Sequence, residues 1–238
     1  MKAVLSATKQ LFAQLWSDVM LIVLMFVPIL MGLVFRLGVP ALEGYLCARL
    51  TKAAILAPYY PVFDLLLSLM TPIMFTAAGA MVILDEADLG LTRAIAVTPV
   101  GRRGYLLSRI GVPAAFSTLY CVIATLVFRI SDIRTSLLVL LDLCSGVMGV
   151  VTALMIASFA KNKVEGLAYS KLSGLFVLGL PVALLVPVPS QYAAGLLPSL
   201  WMTKAVMEDA SVWLLPAFLT AVLWCVLLYR RFSQKLLG

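Results

Sequence analysis

The sequence contains no histidine and only four cysteines, and Asp, Glu, Lys and Arg together make up just 12% of its 238 residues. The missing histidine removes the commonest general base and metal ligand. Three of the cysteines, Cys121, Cys144 and Cys225, fall within apolar runs, and Cys47 stands apart. Neither a disulfide framework nor a metal cluster is expected from them, and no catalytic residue is assigned. A Gly-xxxx-Gly-Lys-Ser/Thr phosphate loop is also missing, so the chain is not expected to bind ATP by that route. Nothing resembles a cleaved signal peptide, because the first apolar run is long and no small-residue cleavage pattern follows it.

What the sequence has in abundance is apolar length. A hydrophobic fraction of 63% and a mean hydropathy of +1.08 exclude an ordinary soluble domain. Residues 19–35, 65–84, 110–128, 143–160, 172–203 and 210–229 form six charge-free runs. A helix needs about 20 apolar residues to cross a bilayer. Backbone polar groups cannot go unpaired in lipid, so such runs are helical. The expectation is an all-α membrane protein of six transmembrane helices, spans 1 to 6, forming one domain over residues 1–238.

The formal charge of +7, from 18 basic and 11 acidic residues, raises the question of nucleic acid. Its distribution answers that question. With the N-terminus in the cytoplasm, Lys2, Lys9, Arg93, Arg102, Arg103, Arg109, Lys161, Lys163, Lys171, Arg230, Arg231 and Lys235 lie inside. Arg36, Arg49, Lys52, Arg129, Arg134 and Lys204 lie outside. This two-to-one bias follows the positive-inside rule and places both termini in the cytoplasm. The partner implied by the basicity is the membrane, not nucleic acid.

The connections carry further expectations. Residues 2–17 read as an amphipathic interfacial helix with Trp16 at headgroup depth. Pro28 and Gly32 predict a kink in span 1. Residues 37–63 read as the first outer loop, whose Tyr59-Tyr60-Pro61 cluster is an interfacial belt or a substrate exit. Span 2 runs from about residue 64 to 84, interrupted by Pro72 and Gly79. Residues 161–171 read as a short cytoplasmic turn and 167–187 as span 5. Residues 188–208 read as a re-entrant outer segment, with Tyr192 and Trp201 at the interface. Such a segment is tolerated only where protein or water covers it. Span 6 covers about 211–229. No internal repeat is evident, which argues against an inverted-repeat secondary transporter.

Asp142 lies about two turns into span 4. A central intramembrane aspartate costs roughly 2.5–3.5 kcal/mol on insertion scales, and less near a span end. It shares a face with Gly146, Gly149 and Ala153, and Ser145, Gly149 and Ala153 form a ladder of small residues that permits close helix contact. Asp142 is therefore expected to face the bundle interior. An ion pair or hydrogen bond with an outer group such as Arg134 is the first reading; a substrate contact and a proton site are the others.

The most distinctive stretch is residues 84–99, LDEADLGLTRAIAVTP. Asp85, Glu86 and Asp88 are read as the beginning of a short helix, where the macrodipole favours acids. Leu91, Ala94 and Ile95 would share a face, and Pro99 would stop the helix. A helix over 85–98 lying across the cytoplasmic end of span 2 is either a solvated connector or a lever for a cytoplasmic partner.

These acids, the following Gly-Leu, the Val-Thr-Pro-Val and the Tyr-Leu-Leu that opens span 3 resemble the ABC-2 type permeases, the membrane subunits of bacterial ATP-binding-cassette exporters. Residues 162–166 (NKVEG) and 197–201 (LPSLW) extend the resemblance over nearly the whole chain. Within that family the pattern is similar to small drug or fluoroquinolone exporter permeases. The usual acid-base-acid run followed by Gly-Thr is altered by Ala87 and Leu91. The resemblance implies a six-span permease in the bacterial plasma membrane, paired with a second permease, as a homodimer or with a different chain. Two copies of a separate ATPase subunit would carry the ATP and Mg, and this chain would bind no cofactor. It also implies that Asp85, Glu86, Asp88, Leu91, Arg93, Thr98 and Pro99 contact the ATPase, and that the segment bearing Tyr192, Pro198 and Trp201 gates the outer side. The expected cargo is amphipathic or apolar: a drug, peptide or lipid. The alternatives are an ion-coupled secondary transporter, which would use Asp142, and a non-transporting immunity or assembly protein.

Overall fold

The computed structural model describes residues 19–51, 53–90 and 101–235. The 2–17 helix and residues 91–100 lie outside the described residues. Among the described residues every regular element is helical, and six helices are long and apolar enough to cross a membrane. They are span 1 (Met25–Leu50), span 2 (Ala57–Asp88), span 3 (Gly104–Phe128), span 4 (Thr135–Phe159), span 5 (Lys163–Leu185) and span 6 (Ser211–Gln234). Spans 2 and 4 are buried along most of their length, whereas spans 1, 5 and 6 are buried over only a small part of theirs. The core therefore follows the seam between spans 2 and 4, where Leu65, Leu69, Met81, Leu138, Leu141 and Met148 are fully buried. One end of the bundle carries Glu86 and the other carries Lys204, and the ends are named accordingly below.

Several boundaries differ from the sequence reading, each for a local reason. The expected loop at 37–63 is helical as far as Leu50. A π-helical turn at Val34–Gly38 carries span 1 past the charge of Arg36, which donates to the carbonyl of Val127 on span 3. The chain then turns at Thr51, which has a φ of 51°. Glu43 accepts hydrogen bonds from the backbone N–H groups of Ile55 (2.9 Å) and Leu56 (2.6 Å). Glu43 thereby holds the backbone that leads into the next helix. The expected turn at 161–171 is instead the α-helix Lys163–Leu172. Asn162 caps it by accepting from the Glu165 N–H at 2.9 Å, while Glu165 accepts from the Lys161 N–H at 2.8 Å.

The prolines explain the irregular turns. A helical proline lacks an N–H and crowds the carbonyl four residues earlier. The π-helical turns at Val34–Gly38 and Leu107–Gly111 lie just before Pro40 and Pro113, where a widened turn relieves that crowding. Span 2 runs straight through Pro72 as one α-helix, Tyr60–Asp88. There the freed carbonyl is that of Ser68, and the Cys121 thiol of span 3 donates to it at 3.3 Å. The backbone acceptor exposed by a proline is thereby satisfied from the neighbouring helix, as lipid demands.

Between spans 5 and 6 the chain forms the short helix Pro198–Met207, well below spanning length. Two indoles hold the turn before it. Trp201 donates to the Gly195 carbonyl at 2.7 Å and Trp224 to the Leu196 carbonyl at 2.9 Å. Trp224 lies ten residues along the helix Leu214–Lys235, about 15 Å from its start at 1.5 Å per residue. Residue 196 therefore sits alongside the middle of span 6.

Candidate functional site

At the Glu86 end, the structure reverses one expectation. Asp85, Glu86 and Asp88 do not begin a helix; they end the helix Tyr60–Asp88, and Gly90 breaks it with a φ of 69°. Acids at a helix C-terminus face the negative end of the macrodipole, so they need cations. Glu86 is 2% exposed and pairs with Arg109, itself 3% exposed, at the start of span 3. The Arg109 Nε donates to Glu86 Oε2 at 3.1 Å, and the Tyr105 hydroxyl donates to the same oxygen at 3.0 Å. Lys163 pairs with Asp85 at 2.9 Å. Asp88 is exposed.

The end of span 2 is therefore tied to span 3 by a buried pair and to the start of span 5 by a partly exposed one. Glu86 is directed into this joint and is not part of an exposed acidic row. The pairing unites two separate stretches of the sequence, the acids at 85–88 and NKVEG at 162–166. Gly166 completes the joint: a Cβ there would collide with the Leu84 side chain. Leu91, Arg93, Thr98 and Pro99 lie outside the described residues.

A second polar group lies inside the bundle. Asp142 is fully buried, but Arg134 does not reach it. Arg134 instead bonds Asp209 at 3.1 Å across the surface of the Lys204 end, which is accessible to that long side chain. Asp142 accepts from the Thr125 hydroxyl at 2.7 Å and shares the single Cys121 S–H, at 3.2 Å, with the Ser68 carbonyl; both donors are on span 3. Ser145, one turn on, lies 3.1 Å from the Ser68 hydroxyl of span 2. The site thus joins spans 2, 3 and 4 through neutral donors. Gly146 and Gly149 permit the approach. A Cβ on Gly149 would lie 3.0 Å from the Pro72 carbonyl, and one on Gly146 would overlap Thr118.

Asp64, one turn from Ser68, was legible only as a run boundary. It is 1% exposed and accepts from the backbone N–H groups of Ile130 (3.1 Å) and Ser131 (3.0 Å), and from the Ser131 hydroxyl. It fixes the turn between spans 3 and 4.

At the Lys204 end, Tyr192, Trp201 and Trp213 form a stack with ring centroids 5.8 and 5.6 Å apart. Pro198, the other residue expected at a gate, opens the short helix and is buried. Lys204, which no motif singled out, is 8% exposed. Its Nζ lies 4.7 Å from the Tyr192 ring centroid and 4.4 Å from that of Trp213.

Six apolar helices, ion-paired at one end and closed by a short helix and an aromatic stack at the other, define a multi-pass α-helical membrane protein. Residues 12–230 match the family model described as fluoroquinolones export permease protein Rv2686c-like. The chain belongs to that family. It is 29% identical over 231 residues to the fluoroquinolones export permease proteins Rv2686c and MT2760 of Mycobacterium tuberculosis strains H37Rv and CDC 1551. Each alignment covers 92% of this chain and 90% of the relative.

Proposed function

We infer that this chain is the membrane subunit of an ATP-driven exporter, paired with a second permease and powered by two copies of a separate ATPase. The family match carries this reading, because relatives named as export permeases align over nearly the full chain. The sequence has no phosphate loop of its own, so the energy source belongs on another polypeptide. ATP and Mg would bind there.

The joint at the Glu86 end supports a mechanical role for that end. An ATPase pressing on residues 85–98 would act on span 2, and the Glu86–Arg109 and Asp85–Lys163 pairs would pass the push to span 3 and to the start of span 5. Asp88, exposed at the helix end, is the acid best placed to meet the partner, with Leu91, Arg93, Thr98 and Pro99 following it in sequence. The Tyr192, Pro198 and Trp201 segment would gate the opposite side. The cargo class is an amphipathic or apolar molecule, with fluoroquinolones as the first candidates from the relatives' names. The membrane is the bacterial plasma membrane, with both termini cytoplasmic. Asp142 serves packing in this scheme, since its carboxylate is engaged by Thr125 and Cys121.

Purification of the tagged protein in mild detergent tests the partnership. A co-eluting subunit with a Walker motif is expected, and Asp88→Lys should weaken its retention while leaving the permease folded. A permease that purifies without any ATPase under cross-linking conditions would contradict the reading.

A further inference from the structure

The Lys204 end contains a cleft of about 280 Å³ between span 5 and the short helix Pro198–Met207. Its lining combines apolar side chains, Ala183, Val186, Val188 and Met207, with the polar side chains of Gln191, Thr203, Lys204 and Glu208. Two of these polar residues are unusual. Gln191 is 2% exposed, yet its side-chain amide makes no hydrogen bond to another described residue. A buried amide left unsatisfied costs free energy, so such groups in native structures call for a ligand, an ion or water.

Lys204 is the second. A buried ammonium needs compensation, and this one has three N–H donors. One meets the Tyr192 hydroxyl at 2.8 Å. Glu208 is next nearest at 3.7 Å, beyond hydrogen-bond range, and its other oxygen accepts from the Trp213 indole at 2.5 Å. Glu208 is half exposed, so its charge is screened where that of Lys204 is not. The aromatic faces of Tyr192 and Trp213 assist the cation but leave donor directions unfilled.

We propose that this cleft binds the anionic head, a phosphate or carboxylate, of an amphipathic molecule. The head oxygens would be held by the Lys204 ammonium and the Gln191 amide, and the attached chain would lie along Val186, Val188 and Met207. An outer-layer phospholipid and an exported amphipath present the same chemistry here.

The test uses the full-length protein in dodecyl maltoside and two probes that share a tail, dodecyl phosphate and dodecyltrimethylammonium. Binding is read from tryptophan fluorescence, because Trp213 flanks Lys204. Dodecyl phosphate should bind at least about tenfold more tightly than the cationic probe. Lys204→Met should weaken it by roughly tenfold or more, the weight of one charge-assisted hydrogen bond. Gln191→Leu should weaken it severalfold while leaving the melting temperature of the ligand-free protein unchanged or higher, since an unsatisfied amide is removed. Native mass spectrometry then separates the sources. Phospholipid retained by the wild type and lost from Lys204→Met supports a lipid occupant. Bound dodecyl phosphate with no retained phospholipid supports an exported one. Equal binding of both probes, or wild-type affinity in both variants, would overturn the proposal. A Gln191→Leu protein destabilised but unchanged in binding would overturn it too, by making Gln191 purely structural.

Discussion

Glu86 and Arg109 form a buried ion pair across 23 residues of sequence, joining the last turn of span 2 to the first turns of span 3. Both are nearly inaccessible, and Tyr105 fills part of the remaining hydrogen-bonding capacity of the carboxylate. The pair satisfies an acid at a helix C-terminus, and it links the two span ends.

Removing one partner leaves the other charge buried without its ion-pair partner. Glu86→Ala and Arg109→Ala should each destabilise the protein by roughly 3–5 kcal/mol. The double variant Glu86→Leu/Arg109→Met should recover most of that loss. Unfolding in mixed micelles titrated with sodium dodecyl sulfate measures it; additive losses in the double variant would rule out the pairing.

The Asp85–Lys163 bridge is half exposed, so its stability contribution is about 0–1 kcal/mol. Its weight should lie in coupling. Asp85→Lys and Lys163→Asp should each lower transport while barely moving the melting temperature, and the charge-swapped double variant should restore it. An unrestored swap would mean that the two residues act separately.

Asp142 and Thr125 should show a modest coupling. Hydrogen bonds between helices in membranes average about 0.6 kcal/mol in double-mutant cycles, reaching about 1.7 kcal/mol at most. A cycle of Asp142→Ala with Thr125→Val should fall in that range. Asp142→Asn should keep the wild-type pH profile of transport, because a packing role needs no titration. A flattened profile would instead assign Asp142 to proton movement.

Glycine substitutions should divide by what stands beside them. Gly149→Val should cost about 1–3 kcal/mol, since its side chain would meet Pro72 and Thr76. Gly44→Ala has open space around it and lies within the helix Val39–Leu50, so it should stabilise by about 0.5–1 kcal/mol. Melting temperatures of the two purified variants compare them directly.

The six spans were readable because lipid imposes one solution on every long apolar run. Gly146 and Gly149 were readable because small residues at helical spacing permit contact. The partner of Asp142 was not. Arg134 was the nearest strong cation in sequence, whereas the actual donors, Thr125 and Cys121, are ordinary residues on another helix. Nothing local links Glu86 to Arg109 either, so the acids looked like a helix start when they are a helix end. Arg36 ends a charge-free run without ending the helix, because its charge finds a backbone carbonyl on span 3. Lys204 and Gln191 carried no signal, because their interest comes from burial alone.

The most direct test of the central claim is ATP-dependent fluoroquinolone uptake into inverted vesicles holding this chain with and without the proposed ATPase subunit. The account predicts uptake only when both are present, and its loss when the ATPase cannot hydrolyse nucleotide. Uptake by vesicles holding this chain alone, driven by an ion gradient, would contradict it.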